Sequence, residues 1–356
     1  MTTIKVERFT EDHLKDFVKL SEIEYGPSIS TNENHVRWKH LLSPFGSSHI
    51  VKLIEGDLVV GRALVQHRPM LKGYEIINVA SVMDMLIDRE HRTSPANFIK
   101  ITKATGNIDG VVLIFHTANE KTLPLYSRLL RFHHPFSLRA YGFPVKISGL
   151  LFKLIGFRIN AIDWLIKPFH WLLIGIASLI NLSSGLSISD KTFSDDELDA
   201  ITLKSINQDA PHLLRTNSFL KWRFYDTEMW KADLKRIDVN GKFSGYIVTR
   251  KMELGELTYY VLMDFILDPN LKIVDNFSLR FWLLTQAIKN GADALFTLVN
   301  PLSIPARKFV GFPFLPIPDT LLPHATPIFM RPCNDRFRCF ELDSSMHMTL
   351  ADLDYF

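Results

Sequence analysis

The strongest constraint on this chain is that it repeats itself. Trp38, in the run Arg37-Trp38-Lys39, recurs as Trp222 in Lys221-Trp222-Arg223, and Gly61 recurs as Gly245. Asp84 and Asp88, in Val82-Met83-Asp84-Met85-Leu86-Ile87-Asp88, recur as Asp264 and Asp268 in Leu262-Met263-Asp264-Phe265-Ile266-Leu267-Asp268. Asn119 and Phe132 recur as Asn300 and Phe312. The offsets run 184, 184, 180, 181 and 180, where chance matches would scatter. A chain of 356 residues has room for two domains of about 150–180 residues each. The reading divides it into domain 1 over 1–140, an insert over 141–187 and domain 2 over 188–356.

Each repeat alternates strand and helix. Residues 4–9 predict a strand, and Thr10 caps a helix that opens on Glu11 and Asp12. Residues 49–54, 58–67 and 74–87 predict three consecutive strands, the first two joined at Glu55-Gly56-Asp57. A helix over 94–105, an apolar strand over 110–115 and a helix over 121–130 complete the unit. That order gives an α/β fold with a mixed sheet and helices on both faces, made twice and joined by an apolar helical insert.

Composition narrows the function. With 47% hydrophobic residues and only 17 Gly and 18 Pro, the chain buries a large core and is no disordered scaffold. A net charge of +3 is too small for a general DNA binder, so DNA is not an expected partner. Two cysteines, Cys333 and Cys339, form neither a disulfide framework nor a zinc site. The opening Met1-Thr2-Thr3-Ile4-Lys5 has no apolar signal-peptide region, and cytoplasmic residence is expected. No P-loop, HExxH or nucleophile-elbow motif is present, which argues against kinase, metalloprotease and Ser-hydrolase chemistry.

The order of elements resembles the GNAT acyltransferase superfamily. Gly61-Arg62-Ala63-Leu64 resembles the start of its third strand, and Asp84 to Arg92 its fourth strand running into the cofactor loop. Asn119 to Phe132, with Leu125-Tyr126 in the middle, resembles its N-x-x-(A/S)-x-x-L-Y-x-x-L-G-F segment. The likeness covers residues 1–140 well and 190–330 more weakly. It implies an acyl-pantetheine arm lying between splayed fourth and fifth strands, pairing with backbone at Leu86 and Ile87. It implies phosphates at the start of the next helix, where amides and the helix dipole favour an anion.

The family's loop there is (Q/R)-x-x-G-x-(G/A), and this chain has Arg92-Thr93-Ser94-Pro95-Ala96-Asn97. The arginine is kept and both glycines are gone. Arg92, Thr93, Ser94, Asn97 and Asn119 are the expected cofactor-binding side chains. The second repeat, Pro269 to Ser278, carries an acidic residue where phosphate would lie. The donor is acyl-CoA or, since a carrier brings no nucleotide diphosphate, acyl carrier protein. No metal is implied.

GNAT chemistry is attack of an amine on a thioester, which needs a base, oxyanion support and an acid for the thiolate. The resemblance puts Tyr126 as the acid. Asp84 and His116 are candidate bases, the first a carboxylate inside an apolar strand and the second an imidazole at a strand end. Each also has a purely structural reading.

Between the repeats, residues 146–182 are apolar with flanking Lys146, Lys153, Arg158 and Lys167 against one acid, Asp163. Two tryptophans, Trp164 and Trp171, fit an interfacial helix; helices buried between the domains are the other reading. The expected function is N-acyl transfer to an amine on an amino sugar, amino acid or lipid-linked envelope precursor, peripheral on a bacterial inner membrane. The alternatives are a Fem-type aminoacyltransferase using aminoacyl-tRNA and a catalytically silent membrane-docked scaffold.

Overall fold

The computed structural model describes residues 1–353 apart from 74, 120–121, 158, 206–210, 227–230, 319–325 and 334–343. Cys339, Lys121 and Arg158, which figured in the sequence reading, lie outside the described residues. The first half runs β1 (Thr3–Arg8), α1 (Leu14–Tyr25), α2 (Glu33–His40), β2 (His49–Glu55), β3 (Leu58–His67), the short β4 (Met70–Lys72) and β5 (Glu75–Ile77), β6 (Val79–Ile87), α3 (Pro95–Ala104) and β7 (Leu113–Thr117). Then come β8 (His133–Pro144), α4 (Ile147–Ile155) and α5 (Asp163–Ser183). The second half runs β9 (Leu186–Ser189), α6 (Asp195–Ser205), β10 (His212–Leu213), α7 (Asn217–Phe224), β11 (Asp233–Val239), β12 (Lys242–Leu254), β13 (Leu257–Leu267), α8 (Ile273–Lys289), β14 (Ala294–Val299), α9 (Ile304–Phe309), β15 (Leu315–Pro316) and β16 (Thr326–Pro332). Strand, two helices, a three-strand meander, helix, strand is thus the main order in both halves.

The chain forms two compact units. Unit 1 holds residues 1–136, 218–230 and 326–343; unit 2 holds 137–217, 231–325 and 344–356. In unit 1 the strands lie in the order β1-β2-β3-β6-β7-β16. All neighbours are antiparallel except β6 and β7. Helix α3 closes one face around Val51, Val82, Ile101 and Ile114. Helices α1 and α2 close the other around Phe9, Phe17, Val36 and Met83. In unit 2 the order is β8-β14-β13-β12-β11-β9, with β13 and β14 parallel. Helices α8 and α9 cover Leu262, Phe265 and Leu295.

Two glycines show why the meander has its sequence. A Cβ on Gly61 would sit 3.2 Å from the Leu86 carbonyl oxygen and from Ile101 Cδ1. A Cβ on Gly245 would sit 2.1 Å from the Ile266 carbonyl oxygen, and its φ of +136° suits glycine alone. At Gly245 the neighbouring strand excludes any side chain, and at Gly61 a Cβ would fit only if its neighbours shifted by a few tenths of an ångström.

Several sequence boundaries move. The strand expected over 74–87 breaks at Asn78, where the Asn side chain bonds the Gly110 carbonyl instead of continuing a ladder. The strand expected over 110–115 begins only at Leu113, since Gly110 sits in a turn with φ +77°. The helix expected over 121–130 is a π-helical turn at Leu125–Leu129. Pro124, at its N-cap, has no N–H to continue a regular ladder. The insert is helical as expected, but its outer arc is not buried: Trp164 and Trp171 are 70% and 75% exposed.

Candidate functional site in the first half

The parallel pairing of β6 with β7 stops early. It runs from Val79–Leu113 to Val82–His116, while β6 continues to Ile87 and stays on β3. Among the described residues no backbone ladder extends β6 towards β7 past Val82. The hydrogen bonding between the two strands splits there, one residue before β7 itself ends at Thr117.

At the mouth of that split β6 bulges, its register against β3 shifting between Leu64–Met83 and Arg62–Leu86. Asp84 takes φ +48°, a left-handed conformation that Asp and Asn tolerate better than other side chains. The bulge changes where the side chain goes. Val82 and Met85 belong to the α3 face and Met83 to the α1/α2 face. Strict alternation would send Asp84 with Val82, yet its carboxylate meets α2.

There Asp84 Oδ2 receives Lys39 Nζ at 2.7 Å and His40 Nε2 at 2.7 Å. His40 Nδ1 lies 3.1 Å from Ser48 Oγ. The tautomer that satisfies both contacts has the proton on Nε2, donating to Asp84, while Nδ1 accepts from the Ser48 hydroxyl. Burial pushes the His40 imidazole down to about 4, outweighing the pull of Asp84, so it is neutral at physiological pH. Burial would raise the Asp84 carboxyl, but the Lys39 charge and the His40 hydrogen bond together hold it well below the usual carboxylate range. The result is a fixed anion whose side chain is still 14% exposed.

Arg62, 2% exposed, lies beneath this group. Its guanidinium stacks 3.5 Å over the Phe17 ring and donates to the Phe17 carbonyl at 2.6 Å and Ser21 Oγ at 2.7 Å. Burial lowers it to about 10, still a cation.

His116 and Tyr126 sit together on the opposite face. The Tyr126 hydroxyl is 3.2 Å from His116 Nδ1, within a cluster of Phe98, Phe132 and Phe329. Burial pushes His116 down to about 3, and its Nε2 is a buried atom with no hydrogen-bond partner. The three candidate catalytic residues thus form two groups, Asp84 on the α1/α2 side of the sheet and His116 with Tyr126 on the α3 side.

The expected cofactor residues are mostly committed to other groups of unit 1. Leu86 and Ile87 are buried and registered against Arg62 and Gly61. Arg92 ion-pairs with Glu24 of α1, and Arg89 reaches the same carboxylate at 3.5 Å. Thr93 Oγ1 donates to the Glu90 carbonyl. Asn97 donates to the His91 carbonyl and accepts from Thr2 Oγ1. Ser94 is the N-cap of α3 but makes no side-chain cap bond, and Pro95 follows it. Asn119 accepts from the Thr122 amide and so starts the turn leading to Tyr126. The helix start offers a dipole and amides but little side-chain charge left over for phosphate.

Lys39, His40, Ser48 and Arg62 were not picked out in the sequence. One signal was there: Arg62 inside Val59-Val60-Gly61-Arg62-Ala63-Leu64-Val65 is a cation in an apolar strand, as Asp84 is an anion in one. Nothing in the sequence ties Lys39 and His40 to Asp84, 44 or more residues away.

In unit 2 the matching carboxylate is enclosed. Asp264 is fully buried and held by Arg215 Nε at 2.8 Å, Thr349 Oγ1 at 2.7 Å and Tyr246 Oη at 3.0 Å. Arg215 also meets Asp352 at 2.7 Å. The pairing of β13 and β14 likewise ends at Leu262–Thr297, but the split beyond it is filled. Thr349 bridges to Val299, the Asn300 amide donates to the Met348 carbonyl, and His347 Nε2 bonds the Phe265 carbonyl. Asn300 holds the same segment by its side chain, through the Ser344 and Met346 carbonyls.

No family model matches this sequence, and no curated protein matches it either. Solved structures do match. A GCN5-related N-acetyltransferase from Anabaena variabilis superposes with TM-score 0.59 at 11% identity, covering 93% of this chain and 73% of that one. A GCN5-related N-acetyltransferase from Kribbella flavida gives 0.56 at 12% identity, with coverages of 93% and 72%. Saccharomyces cerevisiae N-myristoyltransferase with bound myristoyl-CoA gives 0.53 at 11% identity, with coverages of 92% and 82%. At such identities the likeness speaks for the fold. The chain has the mixed α/β fold of the GNAT acyltransferases.

Proposed function

We propose that this chain is a GNAT-type N-acyltransferase built by duplication, with its donor site in the first half. The observation that supports the reading is the end of the β6–β7 ladder at Val82–His116, with the Asp84 anion just past it. The acyl thioester lies in the split, brought by CoA or by acyl carrier protein. An amine approaches on the α1/α2 side, where the Asp84 anion holds its ammonium while one proton leaves to water. The amine nitrogen bonds to the carbonyl carbon, the carbon–sulfur bond breaks, the thiolate takes a proton from Tyr126 on the α3 side, and the second proton shed by the nitrogen returns through water to the Tyr126 oxygen. An arm lying between two parted strands is reached from both faces, so opposite-face placement puts the ammonium anchor and the acid on the two sides of the thioester. The second half, with its split filled by residues 344–353, holds no donor. The few uncommitted cations at the start of α3 favour a donor held by its pantetheine arm more than by its phosphates.

The test is thermal stabilisation by acetyl-CoA, a long-chain acyl-CoA and acyl-loaded carrier protein in turn, followed by transfer to amines. A ligand at 100 times its Kd adds about 2.7 kcal/mol to stability. Stabilisation by one thioester, with Tyr126→Phe slowing turnover but not binding, is the expected result. Absence of stabilisation by all three would leave a scaffold as the better reading.

A further inference from the structure

Eleven large apolar side chains between 154 and 182 are exposed, all on or beside α4 and α5 of unit 2. Helix α5 has two apolar arcs. Leu173, Ile176, Ala177 and Ile180, spaced three and four apart, pack into the unit 2 core. At 100° per residue, Trp164, Trp171 and Leu182 lie on the opposite arc, with the exposed Leu172 and Leu179 on its flank. Trp171 is 75% exposed and Leu182 84%. Helix α4 adds Leu154 and Ile155, and the turn after it adds Phe157.

This hairpin is held firmly. Its single acid, Asp163, is turned inward: one carboxylate oxygen accepts from the Ser148 amide at 2.9 Å and the other from the Ser148 hydroxyl, so it caps the start of α4. A Cβ on Gly149 would lie 2.8 Å from Asp293 Cβ, so α4 is seated against the loop before β14. His170 Nε2 bonds the Val145 carbonyl at 2.9 Å. Lys153 and Lys167 remain on the surface. The exposed face is therefore apolar and aromatic, edged by cations, with no acid of its own pointing out among the described residues.

We propose that the α4–α5 hairpin docks the protein in the plane of an anionic lipid bilayer. The outer arc enters the acyl-chain boundary, the tryptophans lie at headgroup depth, and Lys153 and Lys167 meet lipid phosphates. Charge complementarity selects this occupant, since cations edging an apolar arc match anionic headgroups above acyl chains. Residues Asn160–Ser183, 24 in number, could cross a membrane by length and composition. Yet the inner arc of α5 is a part of the unit 2 core, and a helix packed on a folded unit cannot be lipid-facing all round. It lies along the surface. The docking does not depend on acyl transfer and is tested apart from it.

The test is flotation of the full chain with vesicles of phosphatidylcholine alone and of an equal mixture with phosphatidylglycerol. The protein should float with the anionic vesicles, and the paired change Trp164→Asp with Trp171→Asp should cut the bound fraction about tenfold or more. Lys153→Glu with Lys167→Glu should weaken binding several-fold, as should added salt. These side chains are exposed, so an unchanged circular dichroism melt certifies the fold of each variant. A wild type that stays with the aqueous phase, or tryptophan variants that float as well as it does, overturns the proposal. A concentration-dependent dimer in sedimentation, broken by the same tryptophan pair without any vesicle binding, assigns the face to a second copy instead.

Discussion

Asp84 and Asp264 stand at matching places in the two halves, each an anion at the bulge of a strand that is otherwise apolar, and they live in opposite ways. Asp264 is fully buried and has every lone-pair direction claimed, by Arg215, Tyr246 and Thr349. Asp84 has an ammonium and one imidazole on a single oxygen and keeps an edge open to solvent. Beyond the ladder ends the contrast continues: in unit 2 His347 and Thr349 bridge to Phe265 and Val299, whereas in unit 1 no described segment bridges β6 to β7 past Val82–His116. One carboxylate is enclosed in the core, and the other stays partly exposed. The difference comes from the partners, not from the strands.

The comparison can be broken most forcefully at Asp264. Asp264→Ala strands Arg215 with Asp352 as its remaining carboxylate, and breaking such a buried pair costs about 3–5 kcal/mol. Denaturant unfolding should show that loss, and a change below about 1 kcal/mol would refute the structural role. Asp84→Asn keeps shape and left-handed backbone but takes the anion from buried Lys39, so it should lower stability at neutral pH, by less than Asp264→Ala does. Acyl transfer by the folded variant should fall by roughly 10²–10⁴, the size of losing a positioned catalytic group; unaltered turnover would remove Asp84 from the mechanism.

Acid should act on unit 1. His35 and His40 are both held down to about 4 by burial. An imidazole whose folded pKa is depressed binds its proton more readily when unfolded, so its contribution is complete above about 6.5 and is lost as pH falls towards 4. Asp84, also depressed, adds stability above about 4 that fades only below it. Hydrogen exchange on β2 and β6 between pH 7 and 4 should show loosening that His40→Asn alters in its pH profile. Burial lowers His347 of unit 2 as well, so a β2 and β6 profile that His40→Asn leaves unchanged is the result that would count against this assignment.

A smaller effect sharpens the electrostatics. Lys39→Met removes the charge that most lowers Asp84 against its burial, so the acid limb of the rate profile should move to higher pH. A limb that stays in place would mean another group titrates there. The smallest effect belongs to the tryptophans. Trp38 Nε1 donates to the Trp222 carbonyl at 2.8 Å and Trp222 Nε1 to the Trp38 carbonyl at 2.9 Å, with the rings stacked at 5.1 Å. Trp38→Phe should cost about 1 kcal/mol for one lost bond, measured by the same unfolding.

Much of this was legible in the chain. The offset of 184 that linked Trp38 to Trp222 turns out to join residues that bond each other reciprocally. Gly61 and Gly245, matched by spacing alone, both sit close against a neighbouring strand, which at Gly245 excludes any Cβ. The apolar strands and their lone aspartates were visible because alternation and a charge in an apolar run are local signals. The π-helical turn before Tyr126 was not, since Pro124 upsets a ladder whose outcome depends on what packs around it. Nor were Lys39 and His40, because a charged pair on a short helix resembles a solvated surface until the fold brings it under β6.

What the sequence determined by itself is the main order of elements and the placement of two carboxylates in hydrophobic strands. These follow from periodicity and spacing, which act over a few residues at a time. Only the tertiary structure decided which carboxylate is sealed and which is open. Arg215 and Thr349 reach Asp264 across 49 and 85 residues, and Lys39 and His40 reach Asp84 from another helix. Such partners are chosen by packing of distant segments, and a buried charge takes its chemistry from whatever neighbours that packing supplies.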